Sequence, residues 1–271
     1  MRVLLFVLAL LSCAAFGQEG VEVRKSRLLL LPASTVERSA GQQYAQLMRA
    51  AAQKGALNND RREVERLRRI ARALIPHAAR FNPDAGRWRW EVNLVRSPSV
   101  NAFCMPGGKI AFFTGLLDSL KLDDDEVAAV MGHEIAHALL EHGRARMSEQ
   151  VLKSVGVSVA AALLNLGQLS TELLAQAATL AVTLPFSRRH ETDADLVGME
   201  LAARAGHDPR AAAEVWRKMQ RYAATAGRDQ PPQFLSTHPS HDSRIRDIEA
   251  NLPRVVPLYD AARLARRQES G

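Results

Sequence analysis

Cysteine is nearly missing. Cys13 and Cys104 are the only two in 271 residues. Cys13 falls in an N-terminal leader, so the mature chain has no pair for an internal disulfide. Cys104 reads as a small buried apolar residue. Long apolar runs are missing too. The most apolar stretch, 148–186, is broken by Lys153, Asn165, Gln168, Glu172 and Gln176. That excludes an ordinary transmembrane helix and leaves a helical hairpin packed on the domain or dipping into a membrane surface. No zinc-finger or RNA-binding signature occurs. The net charge is +7, but the basic residues are interspersed with apolar and acidic ones, so nucleic acid is not an expected partner. There is no internal repeat and no low-complexity tract.

What is present suffices for one sizeable core, with 47% hydrophobic residues. The chain begins "MRVLLFVLALLSCAAFGQEG". One basic residue, an apolar run over 3–11 and then small residues make a secretory signal, expected over 1–17. Two exits fit: a conventional cut after Gly17, or a lipobox that makes a lipidated Cys13 the mature N-terminus. The expectation is one domain over 18–271, exported to the periplasm and lipid-anchored to the outer membrane.

Hydrophobic periodicity predicts helices over 35–54 and 58–80, with Pro76 bending or ending the second. The arginines of that second helix read as a solvated face, with anionic lipid as the alternative. Residues 87–95 alternate, Trp88, Trp90, Val92 and Leu94 facing one way, as in a half-buried strand. An extended run follows at 97–108, closed by a Pro-Gly-Gly turn, and 109–117 begins as a third strand and leads towards a short helix. From Asp123 onward the pattern is helical: one helix closing at Gly143, two more over 188–206 and 209–225, then a loop at 231–240, a short helix at 241–250 and a polar tail. The fold class expected is α+β, mostly helical, with a small sheet.

The chemistry concentrates in "MGHEIAHALLEHG", residues 131–143. Residues four apart on a helix lie about 40° apart around its axis. His133 and His137 therefore share a face and suit one zinc ion, while Glu134, about 100° round, can reach a water without being a ligand. His142 lies about 180° from His133 if the helix continues, so the third ligand must come from elsewhere. "RRHETDADLVGMELA", residues 188–202, supplies Glu191 to complete a two-histidine, one-glutamate site. Asp195, one turn on, can accept a hydrogen bond from a ligand histidine and fix its tautomer. His77, His190 and His207 read as structural or surface residues.

These motifs resemble the HtpX-, Oma- and BepA-type gluzincin metallopeptidases, relatives of the CAAX prenyl protease. The chain has their H-E-x-x-H at His133, Glu134 and His137, and their E-x-x-A-D at Glu191, Ala194 and Asp195. It has N-A-F-x-x-P-G-G at Asn101, Ala102, Phe103, Pro106, Gly107 and Gly108, and T-H-P-x-x-x-x-R at Thr237, His238, Pro239 and Arg244. The resemblance covers roughly residues 88–246 and implies a zincin-like domain with one Zn2+ per chain, held by His133, His137 and Glu191, with Glu134 as general base. It implies that an edge strand, either Ala102–Cys104 or Lys109–Phe112, pairs with an extended substrate. Asn101, Ala102, Phe103 and Gly108 become substrate-binding candidates. His238 becomes either a group that stabilises the oxyanion or a cap on the metal in a latent state, with His241 an added histidine nearby.

No counterpart of the helical-repeat module or the membrane spans of longer relatives is expected from these residues. The expectation is a short stand-alone protease acting on unfolded or misassembled envelope proteins. Two rivals are a chaperone-like envelope lipoprotein that binds extended clients and a zinc-stabilised structural protein closed by a fourth ligand such as His238. Oligomeric state is not legible from these motifs.

Overall fold

The computed structural model describes residues 20–23, 28–155, 185–225, 232–239 and 242–269. The expected signal with its Cys13 and Gly17 exits, residues 156–184 of the expected hairpin, and His241 lie outside the described residues. None of the described helices is long and apolar enough to cross a membrane.

Two amphipathic helices come first. In α1 (Ala33–Gln53), Val36, Ala40, Tyr44, Met48 and Ala51 form one buried stripe. α2 (Arg61–Leu74) is capped by the Asp60 side chain, which accepts from the Glu63 N–H, and buries Val64, Leu67, Ile70, Ala71 and Leu74. The helical path expected over 58–80 tightens at Pro76 into a 3-10 turn, Ile75–Arg80.

Three strands follow: β1 (Glu91–Val95), β2 (Ala102–Met105) and β3 (Lys109–Phe113). Their order is β1-β3-β2, with β1 parallel and β2 antiparallel to β3. The expected burial alternation holds from Trp88 to Val92 but not at Asn93, which is half-buried against Asn58 and Tyr44, and the ladder covers only 91–95. Glu91 pairs with Lys109, and before Lys109 the partner chain turns away through Gly107 and Gly108, both at positive φ. Residues upstream of Glu91 therefore have no partner strand. Since β3 is paired on both sides, β2 is an edge.

A short helix, α3 (Thr114–Leu120), leads to the central α4 (Asp124–Leu139). Asp123 and Glu126 form a reciprocal capping box, at 2.9 and 2.8 Å. Every residue of α4 from Glu126 to Leu139 is buried, so this helix is enclosed on all sides. It ends four residues before the expected Gly143 stop. Glu141 takes a left-handed φ of 57°, and a new helix, α5 (His142–Val155), starts at once.

The remaining helices are α6 (Arg188–Arg204), α7 (Ala211–Thr225), α8 (Gln233–Thr237) and α9 (Asp242–Glu269). α8 occupies part of the expected loop. α9 continues far beyond the expected short helix at 241–250, despite Pro253 and Pro257 in its interior. Burial of Val255, Leu258 and Tyr259, with Arg266 donating to the Ala205 carbonyl at the end of α6, outweighs the helix-breaking tendency of proline.

α4 and α6 cross with main chain against main chain. A Cβ on Gly132 would lie 2.7 Å from the Gly198 carbonyl oxygen, and one on Gly198 would lie 2.7 Å from the His133 nitrogen. Neither obstacle is a flexible side-chain end, so any other residue forces the helices apart. We predict that Gly198→Ala destabilises the protein by about 1–3 kcal/mol in urea denaturation. Gly41→Ala in α1, where a Cβ meets nothing within 4 Å, should be neutral or stabilising by up to about 1 kcal/mol. Equal effects at the two positions would contradict the tight crossing.

Candidate metal centre

The helix crossing brings three groups from α4 against two from α6. His133, Glu134 and His137 face Glu191 and Asp195, and all five are buried. His238, at the end of α8, closes the cluster from a third direction and is buried too. The structure thus brings together His133, Glu134, His137, Glu191, Asp195 and His238, which lie far apart in sequence.

The inner donor atoms have a regular spacing. His133 Nε2 lies 3.0 Å from His137 Nε2 and 3.3 Å from His238 Nδ1. Glu191 Oε2 is 3.6 Å from His133 Nε2, and Glu191 Oε1 is 3.5 Å from His137 Nε2 and 3.1 Å from His238 Nδ1. A tetrahedral ion with bonds of about 2.0–2.1 Å holds its donors about 3.3–3.4 Å apart. The distances to His133, His137 and His238 lie around that value, with Glu191 meeting His133 through Oε2 and the other two through Oε1, and one atom from each of the four lies within 4.8 Å of all the others. Two carboxylate oxygens aimed at this centre, Glu134 Oε1 and Glu191 Oε2, are buried without a hydrogen-bond partner among the described residues. Glu191 Oε2 does lie 2.5 Å from Arg244 Nη1, a close ion contact outside hydrogen-bond geometry. Glu134 Oε1 likewise lies 3.4 Å from His238 Nε2. The clustered imidazole and carboxylate donors fit a divalent metal.

A second ring of groups orients the inner one. Asp195 Oδ1 lies 3.0 Å from His133 Nδ1, which directs Nε2 inward. His142 Nδ1 lies 3.0 Å from His137 Nδ1 and does the same for that ring. The turn at Glu141 swings His142 back over His137. His190 stacks on His142 at 4.1 Å and 15°. Reading His142 on a continuous helix placed it on the far side, and His190 read as structural or surface. Sequence reasoning missed both contacts because the left-handed residue between the helices is a glutamate rather than a glycine.

Arg244 is the other group that the sequence presented only as a motif letter. It is almost wholly buried, forks onto Asp195 with Nε–Oδ2 of 2.8 Å and Nη2–Oδ1 of 2.7 Å, and reaches Glu191 with Nη1. Its guanidinium carbon sits 3.6 Å from the Trp216 ring. The spacing of six residues from His238 was the one available signal.

The electrostatics follow from this packing. Burial pushes the Asp195 carboxyl up, but Arg244 and His133 overcome it and bring the group from 3.8 down to about 2. Burial also pushes Glu191 up, and His238 and Arg244 reverse it to below the usual carboxylate value. Burial lowers His137 well below its ordinary value, helped by the neighbouring His133, His142 and His238 rings, so it is held neutral, as ligation requires. Glu134 goes the other way. Burial raises it, and the lowering by His238, His133 and the Cys104 main-chain N–H does not cancel that.

A cavity of about 430 Å³ opens onto this centre and is lined by Glu134, His137 and His238. Asn101, Ala102 and Phe103 line it as well, with the rest of β2. Gly108 does not. It lies in the turn beyond β2, where a Cβ would meet the Trp90 ring at 2.7 Å, so its task is packing and backbone shape rather than the cleft.

Two outcomes follow for the metal-free protein. Arg244→Met leaves two buried carboxylates without their cation and should cost about 3–5 kcal/mol in urea denaturation; a loss below about 1 kcal/mol would contradict the clamp. Asp195 has its folded pKa below its unfolded value, so its contribution is present above about pH 4 and is lost as pH falls towards 2. That loss should be on the order of 2 kcal/mol and should be missing from Asp195→Asn.

Residues 61–252 match the sequence profile of peptidase family M48. The mitochondrial metalloendopeptidase OMA1 of Schizosaccharomyces pombe is 42% identical over 168 residues, covering 62% of this chain and 48% of the relative. OMA1 of Arabidopsis thaliana is 41% identical over 184 residues, covering 67% and 36%. The beta-barrel assembly-enhancing protease of Escherichia coli is 26% identical over 230 residues, covering 82% and 45%. The chain thus spans less than half the length of each of these relatives. The matched span contains all six residues of the buried centre, and the chain belongs to peptidase family M48.

Proposed function

We propose that this protein is a zinc-dependent metalloendopeptidase, with one Zn2+ per chain held by His133, His137 and Glu191. The observation that carries the reading is the tight cluster of buried imidazole and carboxylate donors directly beside an edge strand. Bound zinc supplies Lewis acidity, lowering the pKa of water and polarising a carbonyl. Glu134 serves as general base and hands the proton to the leaving amine, and burial, which raises its pKa, makes it a stronger base than an exposed carboxylate. Asp195 and His142 hold the two imidazoles in the tautomers that ligation needs.

The substrate binds as an added strand on β2. A peptide pairing with that edge contributes main-chain hydrogen bonds that every sequence possesses, so selection is for extended, unfolded chain. Asn101, Ala102 and Phe103 form the wall along which it lies. We read the substrates as misfolded or unassembled cell-envelope proteins and the setting as the periplasm, with a lipid anchor at Cys13 or a cut after Gly17. The N-terminal signal pattern and the likeness to a beta-barrel assembly-enhancing protease support that setting.

His238 occupies the fourth donor position, which favours capping of the metal in a resting state over oxyanion stabilisation. The same position favours one rival reading, a closed structural zinc site. Incubation of the zinc-loaded protein with unfolded casein separates the two. Cleavage should occur, and should vanish with chelator or with Glu134→Gln. His238→Ala should raise the rate severalfold, whereas an unchanged or lower rate would contradict capping. Unfolding on chelation without prior cleavage would establish the structural site, and casein binding without cleavage in any state would establish a chaperone.

A further inference from the structure

α1 precedes the residues 61–252 that match the family profile, yet it forms one wall of the cleft. Val36, Ala40, Gln43 and Leu47 line the cavity, and their spacing of four, three and four puts them on one face of the helix. A neighbouring stripe fixes α1 in place. Tyr44, Met48 and Ala51 pack with Val95, Met105 and Ala111 of the sheet. Tyr44 Oη donates to the Ile110 carbonyl at 2.6 Å, and Trp88 Nε1 donates to Glu37 Oε1 at 3.0 Å. Phe103, Met105 and Phe113 belong to the same packing and also line the cavity. The polar lining groups sit elsewhere, apart from Gln43. Ser97, Ser99 and Asn101 precede β2, and Gln233 and Thr237 stand on α8. Ser99 Oγ donates to Gln233 Oε1 at 2.6 Å, and Ser97 Oγ accepts from the Ser99 N–H at 3.2 Å. Glu134 and Arg146 come from α4 and α5.

The free edge of β2 decides which substrate side chains meet this wall. The Asn101 carbonyl accepts from the Phe113 N–H at 3.1 Å, and the Met105 carbonyl accepts from the Gly108 N–H at 3.2 Å. Alternate residues of an antiparallel strand turn their main-chain groups to opposite sides, so Ala102 and Cys104 turn theirs to the open edge. The Cys104 N–H acts on the Glu134 carboxylate, which puts the reacting bond beside Cys104. Side chains alternate as well, Ala102 and Cys104 facing the main core and Phe103 and Met105 facing α1. A strand added to β2 shares that pleat. Successive side chains point to opposite faces, so one of the two residues joined by the reacting bond faces α1, whichever way the substrate runs.

We infer that α1 is a specificity element and that its Val36, Ala40 and Leu47 face takes a large apolar side chain from one of the two residues at the cut. This rests on the peptidase reading above and names the side-chain class that the cleft selects. An unfolded chain exposes such side chains and a folded one buries them, so the same contact favours unfolded substrates.

The test uses the zinc-loaded full chain and fluorogenic peptides carrying Leu, Phe, Ser, Lys or Glu at each of the two residues flanking the cut. At one of these positions the wild type should prefer Leu or Phe to Ser by at least about tenfold in kcat/KM. Leu47→Glu should abolish that preference and make Lys the favoured residue there, and Leu47→Lys should favour Glu. Neither should alter the ratios at the other position. Gln46→Glu adds the same charge at an exposed neighbour that does not line the cavity, and should keep the wild-type ratios. Thermal melts of each variant check folding. A wild-type ratio near one at both positions, a preference that survives Leu47→Glu, or a Gln46→Glu variant that reproduces the change would overturn the inference. Affinities of the same peptides, measured by fluorescence anisotropy on Glu134→Gln with and without Leu47→Glu, read the preference without turnover. An apolar preference in binding that Leu47→Glu removes, without hydrolysis by the wild type, would retain the α1 wall and sink the peptidase reading.

Discussion

The contact between Gly132 and Gly198 is the constraint on which the centre depends. Two helices crossing without side chains between them bring their functional faces as near as backbones allow. His133 follows Gly132 directly, while Asp195 and Glu191 precede Gly198 by about one and two turns, so the imidazoles and carboxylates meet across the crossing. Each glycine in a helix interior costs about 0.5–1 kcal/mol relative to alanine. Burial of α4 along nearly its whole length offsets that cost.

Around this crossing, buried charge is handled by neighbours in a fixed order. Arg244 neutralises and orients the two carboxylates of α6, Asp195 turns His133, and His142 turns His137. Trp216 and Phe234 complete the enclosure, Trp216 beneath Arg244 and Phe234 stacked on His238 at 4.5 Å. An ion pair of this depth is weak evidence of stability in itself, but it holds side chains in one geometry, which a coordination site requires. The sheet contributes in a different way. Because β3 is saturated on both sides, β2 presents its free edge to the same cavity that exposes Glu134.

The periodic and motif-bearing parts were legible in the sequence. The period-four spacing of His133 and His137, the acidic cap at Asp123 and the alternation around Trp90 are local properties that tertiary packing reinforced. Of the two proposed edges, only topology could choose, since strand order is not a local property. The placement of His142 was not legible, because it depends on a left-handed glutamate that no propensity signals. The length of α9 was hidden by two prolines whose cost is met by burial against α6. Arg244 was visible as a spacing but not as a clamp, since its partners lie 49 and 53 residues upstream.

The central claim is that α4 and α6 jointly grip one divalent ion. Zinc stoichiometry, combined with the zinc K-edge absorption spectrum of the loaded protein, tests it most directly. The account predicts one zinc per chain in a nitrogen and oxygen shell at about 2.0–2.1 Å, with imidazole scattering and no sulfur, and loss of that zinc in Glu191→Gln. A sulfur ligand, a different stoichiometry, or full zinc retention with an unchanged spectrum in Glu191→Gln would contradict it.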